Sequence, residues 1–234
     1  MNTQLNSIQF EDNTFGYYHL GSVSDSNTSN ILILTNNVFD LQKSDYITQL
    51  TEHHDVYLSD LQTTPKNKRL LIDPPLTTYA QRIKKLVDDL SLTDVVVIST
   101  LEYGAYVLEF LKTHTKVVKH FIGINTPISV QSYTESFSVP IKRKLNASMR
   151  QANISMGAGS ICYQINDCER ILFSDAVDTA ILKDVDSQVD LIVNNEVITN
   201  AATENLLRAL KNSNLTQIRT SVEEELLKTA FSLI

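Results

Sequence analysis

Val95-Val96-Val97-Ile98-Ser99-Thr100-Leu101-Glu102-Tyr103-Gly104-Ala105-Tyr106-Val107 is the stretch whose reading decides the fold. Val95 to Ile98 are four successive β-branched apolar residues, the pattern of a strand buried on both faces of a parallel sheet. From Ala105 the sequence Ala105-Tyr106-Val107-Leu108-Glu109-Phe110-Leu111 takes the apolar spacing of a helix. A buried strand that runs through a short corner into a helix is half of a crossover unit, and crossover units build parallel sheets.

The same alternation repeats on either side. Upstream, Ile31-Leu32-Ile33-Leu34 is a buried strand, Gln42 to Leu50 a short helix, and Val56-Tyr57-Leu58 a strand ending at Ser59-Asp60. Thr77 or Thr78 is placed to cap a helix running to Leu90, with Tyr79, Ile83, Leu86, Val87 and Leu90 on one face. Downstream, Val117 to Ile124 and Leu191-Ile192-Val193 supply strands, and Ala201 to Leu210 a helix. Leu215 to Ile218 is a last strand and Val222 to Leu233 a closing helix. At the start, Ile8 to Glu11 and Phe15 to Leu20 flank Asp12-Asn13-Thr14 as a β-hairpin. Ser22 to Asn30 is polar and reads as a loop, and Leu61 to Asp73 reads as irregular. The expected class is α/β: a mainly parallel sheet with helices on both faces and an N-terminal β-hairpin.

A chain of 234 residues suits one such core. Its net charge of −7 argues against nucleic acid or an anionic membrane as the main partner. No basic segment followed by an apolar run opens the chain, and no apolar run reaches the ~20 residues that span a bilayer. Cys162 and Cys168 are the two cysteines, too few for a disulfide scaffold, so a cytoplasmic chain is the expectation. The six glycines form no phosphate-binding loop.

The strand, corner and helix quoted first resemble the nucleophile elbow of the α/β-hydrolase fold superfamily. The order of elements is similar to that fold over nearly the whole chain, and Tyr79 to Phe110 and Asn200 to Leu215 match its pattern without gaps. The resemblance implies an α/β-hydrolase core from residues 1–127 and 189–234, with 128–188 as a mostly helical cap insertion. It also implies where the functional positions fall. The family's G-x-S-x-G places its nucleophile on Leu101, its flanking glycines on Ser99 and Tyr103, and a second glycine on Gly104. Leu101 has no hydroxyl, thiol or carboxylate with which to attack a carbonyl. A frame shifted by one residue uses Gly104 as the following glycine and makes Glu102 the elbow residue, a chemically feasible nucleophile.

The position of the family's histidine reads Gln217-Ile218-Arg219-Thr220-Ser221-Val222-Glu223. The histidines are His19, His53, His54, His114 and His120, and none carries over. The family's acid follows the strand Leu191-Ile192-Val193, where Glu196 is the nearby carboxylate, either a residual catalytic acid or a solvated side chain. The oxyanion loop reads Thr35-Asn36-Asn37-Val38. Asparagine accepts positive φ, so Asn36 and Asn37 either donate into a pocket or close an Asx-turn.

Three catalytic positions differ together, which implies a member of the superfamily without the Ser-Asp/Glu-His triad. The expected function is binding, of a small apolar ligand or a protein partner, in a pocket formed by Asn36, Asn37, Leu101, Glu102 and Tyr103. The competing reading is an esterase- or thioesterase-like hydrolase with relocated catalytic residues. No cofactor is expected. His53-His54-Asp55 resembles a metal cluster only in composition, because adjacent residues on extended backbone point to opposite faces. Lys142-Arg143-Lys144 reads as a solvated helix face or a partner patch.

Overall fold

The computed structural model describes residues 5–21, 29–64, 76–100, 103–126, 181–194, 201–220 and 223–234. Within them eight strands form one sheet in the order β1-β2-β4-β3-β5-β6-β7-β8. The strands are β1 (Leu5–Phe10), β2 (Asn13–Leu20), β3 (Asn30–Leu34), β4 (Asp55–Thr64), β5 (Val95–Thr100), β6 (Val118–Ile124), β7 (Gln188–Asn194) and β8 (Ser213–Ile218). The hairpin of β1 and β2 is antiparallel and joins β4 antiparallel, while β4, β3, β5, β6, β7 and β8 are mutually parallel. The expected class therefore holds, hairpin included.

Among the described residues six helices cover the sheet: α1 (Val38–Leu41), α2 (Asp45–Leu50), α3 (Leu76–Asp89), α4 (Tyr103–Leu111), α5 (Ala201–Ala209) and α6 (Glu223–Phe231), with a 3-10 turn at Ile181–Asp184. Strand residues alternate between two cores. Leu32, Leu34, Val95, Val97, Phe121, Val189 and Leu191 pack under α3, α4 and α5. Ile31, Ile33, Val96, Ile98, Ile122, Ile124 and Ile192 pack under α1, α2 and α6. All six residues of β5 are buried, as the unbroken apolar run requires. Each large aliphatic side chain buried there contributes roughly 1.5–3 kcal/mol.

The structure departs from the sequence expectations at three places. First, α4 begins at Tyr103, not Ala105. Tyr103 is 1% exposed and meets Tyr106 edge-on at 5.5 Å, so the first turn is held by aromatic packing. Second, Gln42 to Leu50 is not one helix. Ser44 interrupts it and caps α2, its Oγ accepting from the Ile47 N–H at 3.3 Å. Third, β4 runs on to Thr64 through residues that read as irregular. A bulge opposite Gly16 separates its two halves, and Leu61 within it takes a φ of +54°. The buried Arg82 donates from Nη1 to the Leu61 carbonyl at 2.8 Å, which satisfies a group the bulge would otherwise strand. Antiparallel pairing with β2 supplies the rest.

β6 and β7 are direct parallel neighbours although 124 and 188 bound the gap between them. Residues 128–180, most of the expected cap, lie outside the described residues, and with them Lys142-Arg143-Lys144, Cys162 and Cys168. No described helix is long and apolar enough to cross a membrane.

Candidate functional site

Open parallel sheets bind ligands at the carboxyl ends of their strands, and the expected pocket belongs to that edge. There the chain places hydroxyls. Thr100 Oγ1, ending β5, donates to Thr35 Oγ1, just past β3, at 3.0 Å. Thr35 Oγ1 in turn accepts from the Asn37 N–H at 3.1 Å, and the Thr35 N–H donates to the Ser59 carbonyl at 3.2 Å. The turn after β3 is thus closed by a threonine. Neither asparagine takes a positive φ; Asn37 precedes α1 with φ −101°. Asn36 is exposed and Asn37 half-buried.

Tyr103 belongs to the packed interior of this edge. Its ring meets Tyr106, which stacks on Tyr79 at 4.1 Å. Leu101, Glu102 and Glu196 lie outside the described residues. Beneath the elbow, Ser99 Oγ and Thr126 Oγ1 are buried with no hydrogen-bond partner among the described residues. Thr126 fills a slot between Gly104 and Gly123, where added methyl groups would lie 2.0 and 2.5 Å from its Oγ1.

The histidines occupy the opposite edge, all five of them. His19 lies beside Tyr57 near the start of β4, and its Nε2 donates to Asp55 Oδ1 at 3.1 Å. His53 and His54 precede β4, His114 lies in the turn after α4, and His120 is the third residue of β6. Among the described residues no group of His, Cys, Asp and Glu is placed to hold a metal ion; His53 and His54 lie in the turn before β4, and Asp55 opens that strand. His120 is 8% exposed and Asp190, on β7, is 3% exposed. His120 Nε2 donates to Asp190 Oδ2 at 2.5 Å. Gln188 Nε2 donates to the same oxygen at 2.7 Å, and Asn214 Nδ2 to Oδ1 at 2.8 Å.

The sequence reading gave His120 and Asp190 no role. A signal existed: each is a polar residue inside an apolar strand, Val118-Lys119-His120-Phe121-Ile122 and Val189-Asp190-Leu191-Ile192. Buried polar side chains in such runs need partners. Nothing in the sequence pairs two positions 70 residues apart.

His54 carries a pH consequence. Burial, and secondarily the neighbouring His53, hold its imidazole below the usual 6.5, while Ser29 Oγ sits 2.7 Å from its Nδ1. The unfolded chain therefore takes up this proton first as pH falls. The stability contributed is full above 6.5 and is lost as pH falls through the lower folded value. Urea unfolding across pH 5 to 7 (about the imidazole range) is expected to show a shallower loss in His54→Gln than in the wild type.

No family model matches the chain, and no curated protein matches it. Solved structures do. The enol-lactonase of Burkholderia xenovorans LB400 superposes with a TM-score of 0.68 at 11% identity, over 97% of this chain and 98% of that one. The bromoperoxidase of Bacillus anthracis gives 0.66 at 15% identity over 98% and 99%. An α/β-hydrolase enzyme from the metagenome of lagoon sediments at Mar Chica, Morocco, gives 0.59 at 16% over 97% and 98%. Such identities carry the architecture and not the activity. Sheet order, crossover helices and these superpositions together give this chain the α/β-hydrolase fold.

Proposed function

We propose that this protein uses the α/β-hydrolase fold for binding rather than hydrolysis, taking a small apolar molecule or a protein partner at the carboxyl edge beneath the cap. The proposed pocket draws on Asn36, Asn37, Leu101, Glu102 and Tyr103. One observation carries the reading: every imidazole in the chain sits at the amino edge, away from the elbow. Acyl transfer at an elbow needs a base within hydrogen-bond reach of the nucleophile. The carboxyl-edge hydroxyls Thr35 and Thr100 bond to one another, not to a base.

The expected result with p-nitrophenyl butyrate is a rate no higher than that of Leu101→Ala, with no acyl-enzyme burst. Leu101→Ser is expected to stay inactive, because triad members act as a unit and one part recovers little. Burst kinetics, or covalent labelling of Ser99 or Glu102 by an active-site-directed reagent, would overturn the reading. Nile red reports the pocket itself: binding is expected in the wild type and lost in Leu101→Trp. Binding unchanged by Leu101→Trp leaves the protein-partner form of the proposal.

The hydrolase alternative has one observation in its favour. Ser29 Oγ and His54 Nδ1 are 2.7 Å apart, the reach of a nucleophile and its base. Ester turnover abolished by Ser29→Ala would move the chemistry to the amino edge.

A further inference from the structure

A cleft of about 770 Å³ opens at the amino ends of the central strands, on the side of the sheet covered by α6. It lies at the edge opposite the crevice that α/β sheets ordinarily use. Its wall includes His120 and the exposed Lys119 from β6, Lys211 and Asp186 from flanking turns, and the apolar Val96 and Leu233. Two features of the backbone and core mark it as built. The register of β5 on β6 passes from Val95 opposite Val118 to Val96 opposite His120. Lys119 is therefore an extra residue, a bulge in a parallel pair, where bulges are rare and serve to re-aim side chains. Beside it, His120 and Asp190 put a buried polar pair where a parallel strand ordinarily carries aliphatic residues.

The hydrogen-bonding capacity of the wall is lopsided. The acidic side chain in the wall, Asp186, and the one behind His120, Asp190, are already engaged. Asp190 accepts from three side chains. Asp186 accepts from Lys211 at 2.9 Å, and the pair holds the Asp186 carboxyl below and the Lys211 ammonium above their ordinary values. The charged side chains with capacity left are the two lysines, both donors. The Lys119 ammonium makes no ion pair or hydrogen bond with the described residues. Lys211 keeps further N–H groups beyond the one given to Asp186.

We propose that this amino-edge cleft is a second binding site, selective for a small carboxylate with a short aliphatic chain. Lys119 and Lys211 take the carboxylate through charge-assisted hydrogen bonds. Val96 and Leu233 take the chain, and His120, held in place by Asp190, forms the fixed floor. The site is independent of the carboxyl-edge pocket and does not depend on what that pocket binds.

The test is a titration of the full chain with butyrate, read from the imidazole signals of His120 by NMR. His19 serves as the internal control, because β2 lies four strands from β6 in the sheet. Saturable movement of His120 with His19 unmoved is the expected result. Lys119→Gln is expected to weaken the affinity about tenfold, the loss of one charge-assisted bond, without lowering the unfolding midpoint, since Lys119 is exposed and unpaired. Three outcomes each overturn the proposal: no saturable shift with butyrate, equal affinity in Lys119→Gln, or equal affinity for n-butylamine. Inorganic phosphate binding as tightly as butyrate also overturns it, since the aliphatic wall would then contribute nothing.

Discussion

Gly104→Ala is expected to cost about 3 kcal/mol of stability, read as a lower urea midpoint with the m-value unchanged. A glycine near the start of a helix ordinarily gains from this substitution, by up to about 1 kcal/mol of helix propensity. Here sterics reverse the sign. A methyl group on Gly104 would lie 2.0 Å from Thr126 Oγ1, 2.5 Å from its Cγ2 and 2.7 Å from its Cβ. Rotating the threonine cannot relieve the last of these, because Cβ is fixed by the backbone. Either α4 moves off the sheet or β6 gives way, and both are in the densely packed core.

The rescue follows from the same geometry. Thr126→Gly removes all three opposing atoms, so the double variant is expected to recover most of the loss. Coupling of this size between two residues far apart in sequence is the mark of direct contact. A single variant as stable as the wild type would mean that the slot between α4 and β6 has room to spare.

How much of this was legible depends on the kind of signal. The strand and helix around Val95 were readable because apolar periodicity is local. Gly104 was readable only as a glycine of the elbow pattern, and the slot that it and Gly123 leave for Thr126 was not. The continuation of β4 was unreadable: Gln62-Thr63-Thr64 are polar, and only pairing with β2 makes them a strand. The turn after β3 was read from its asparagines, whereas Thr35 closes it. The triad positions were assigned by resemblance alone, because single residues hold fixed places in a family pattern, and Leu101 and Glu196 lie outside the described residues. The His120–Asp190 pair was not, because it is created by β6 and β7 lying side by side across a long insertion.

Asp190→Ala is expected to cost about 3–5 kcal/mol, the usual range when one partner of a buried, hydrogen-bonded pair of ionisable side chains is removed. The argument rests on what is left behind. Asp190 is the common acceptor for His120, Gln188 and Asn214. Without it, Gln188 and Asn214 can turn to water, since both are exposed. His120 is 8% exposed and its Nε2 faces Asp190, which is not part of the cleft wall, so that N–H loses its acceptor in the core. Asp190→Asn keeps the shape and one acceptor oxygen, and is expected to cost less, about 1–3 kcal/mol. Replacing both partners, with His120→Leu and Asp190→Leu together, removes the stranded groups and is expected to recover stability over Asp190→Ala. Urea midpoints of the three variants check this order, and a loss below about 1 kcal/mol for Asp190→Ala would place the pair in water rather than in the core. The comparison also separates scaffold from site. If the cleft binds a carboxylate as inferred, Lys119→Gln lowers affinity and spares stability, whereas the double leucine variant keeps the fold but loses the polar floor. A cleft whose affinity survived the loss of that floor would owe its selectivity to the two lysines alone.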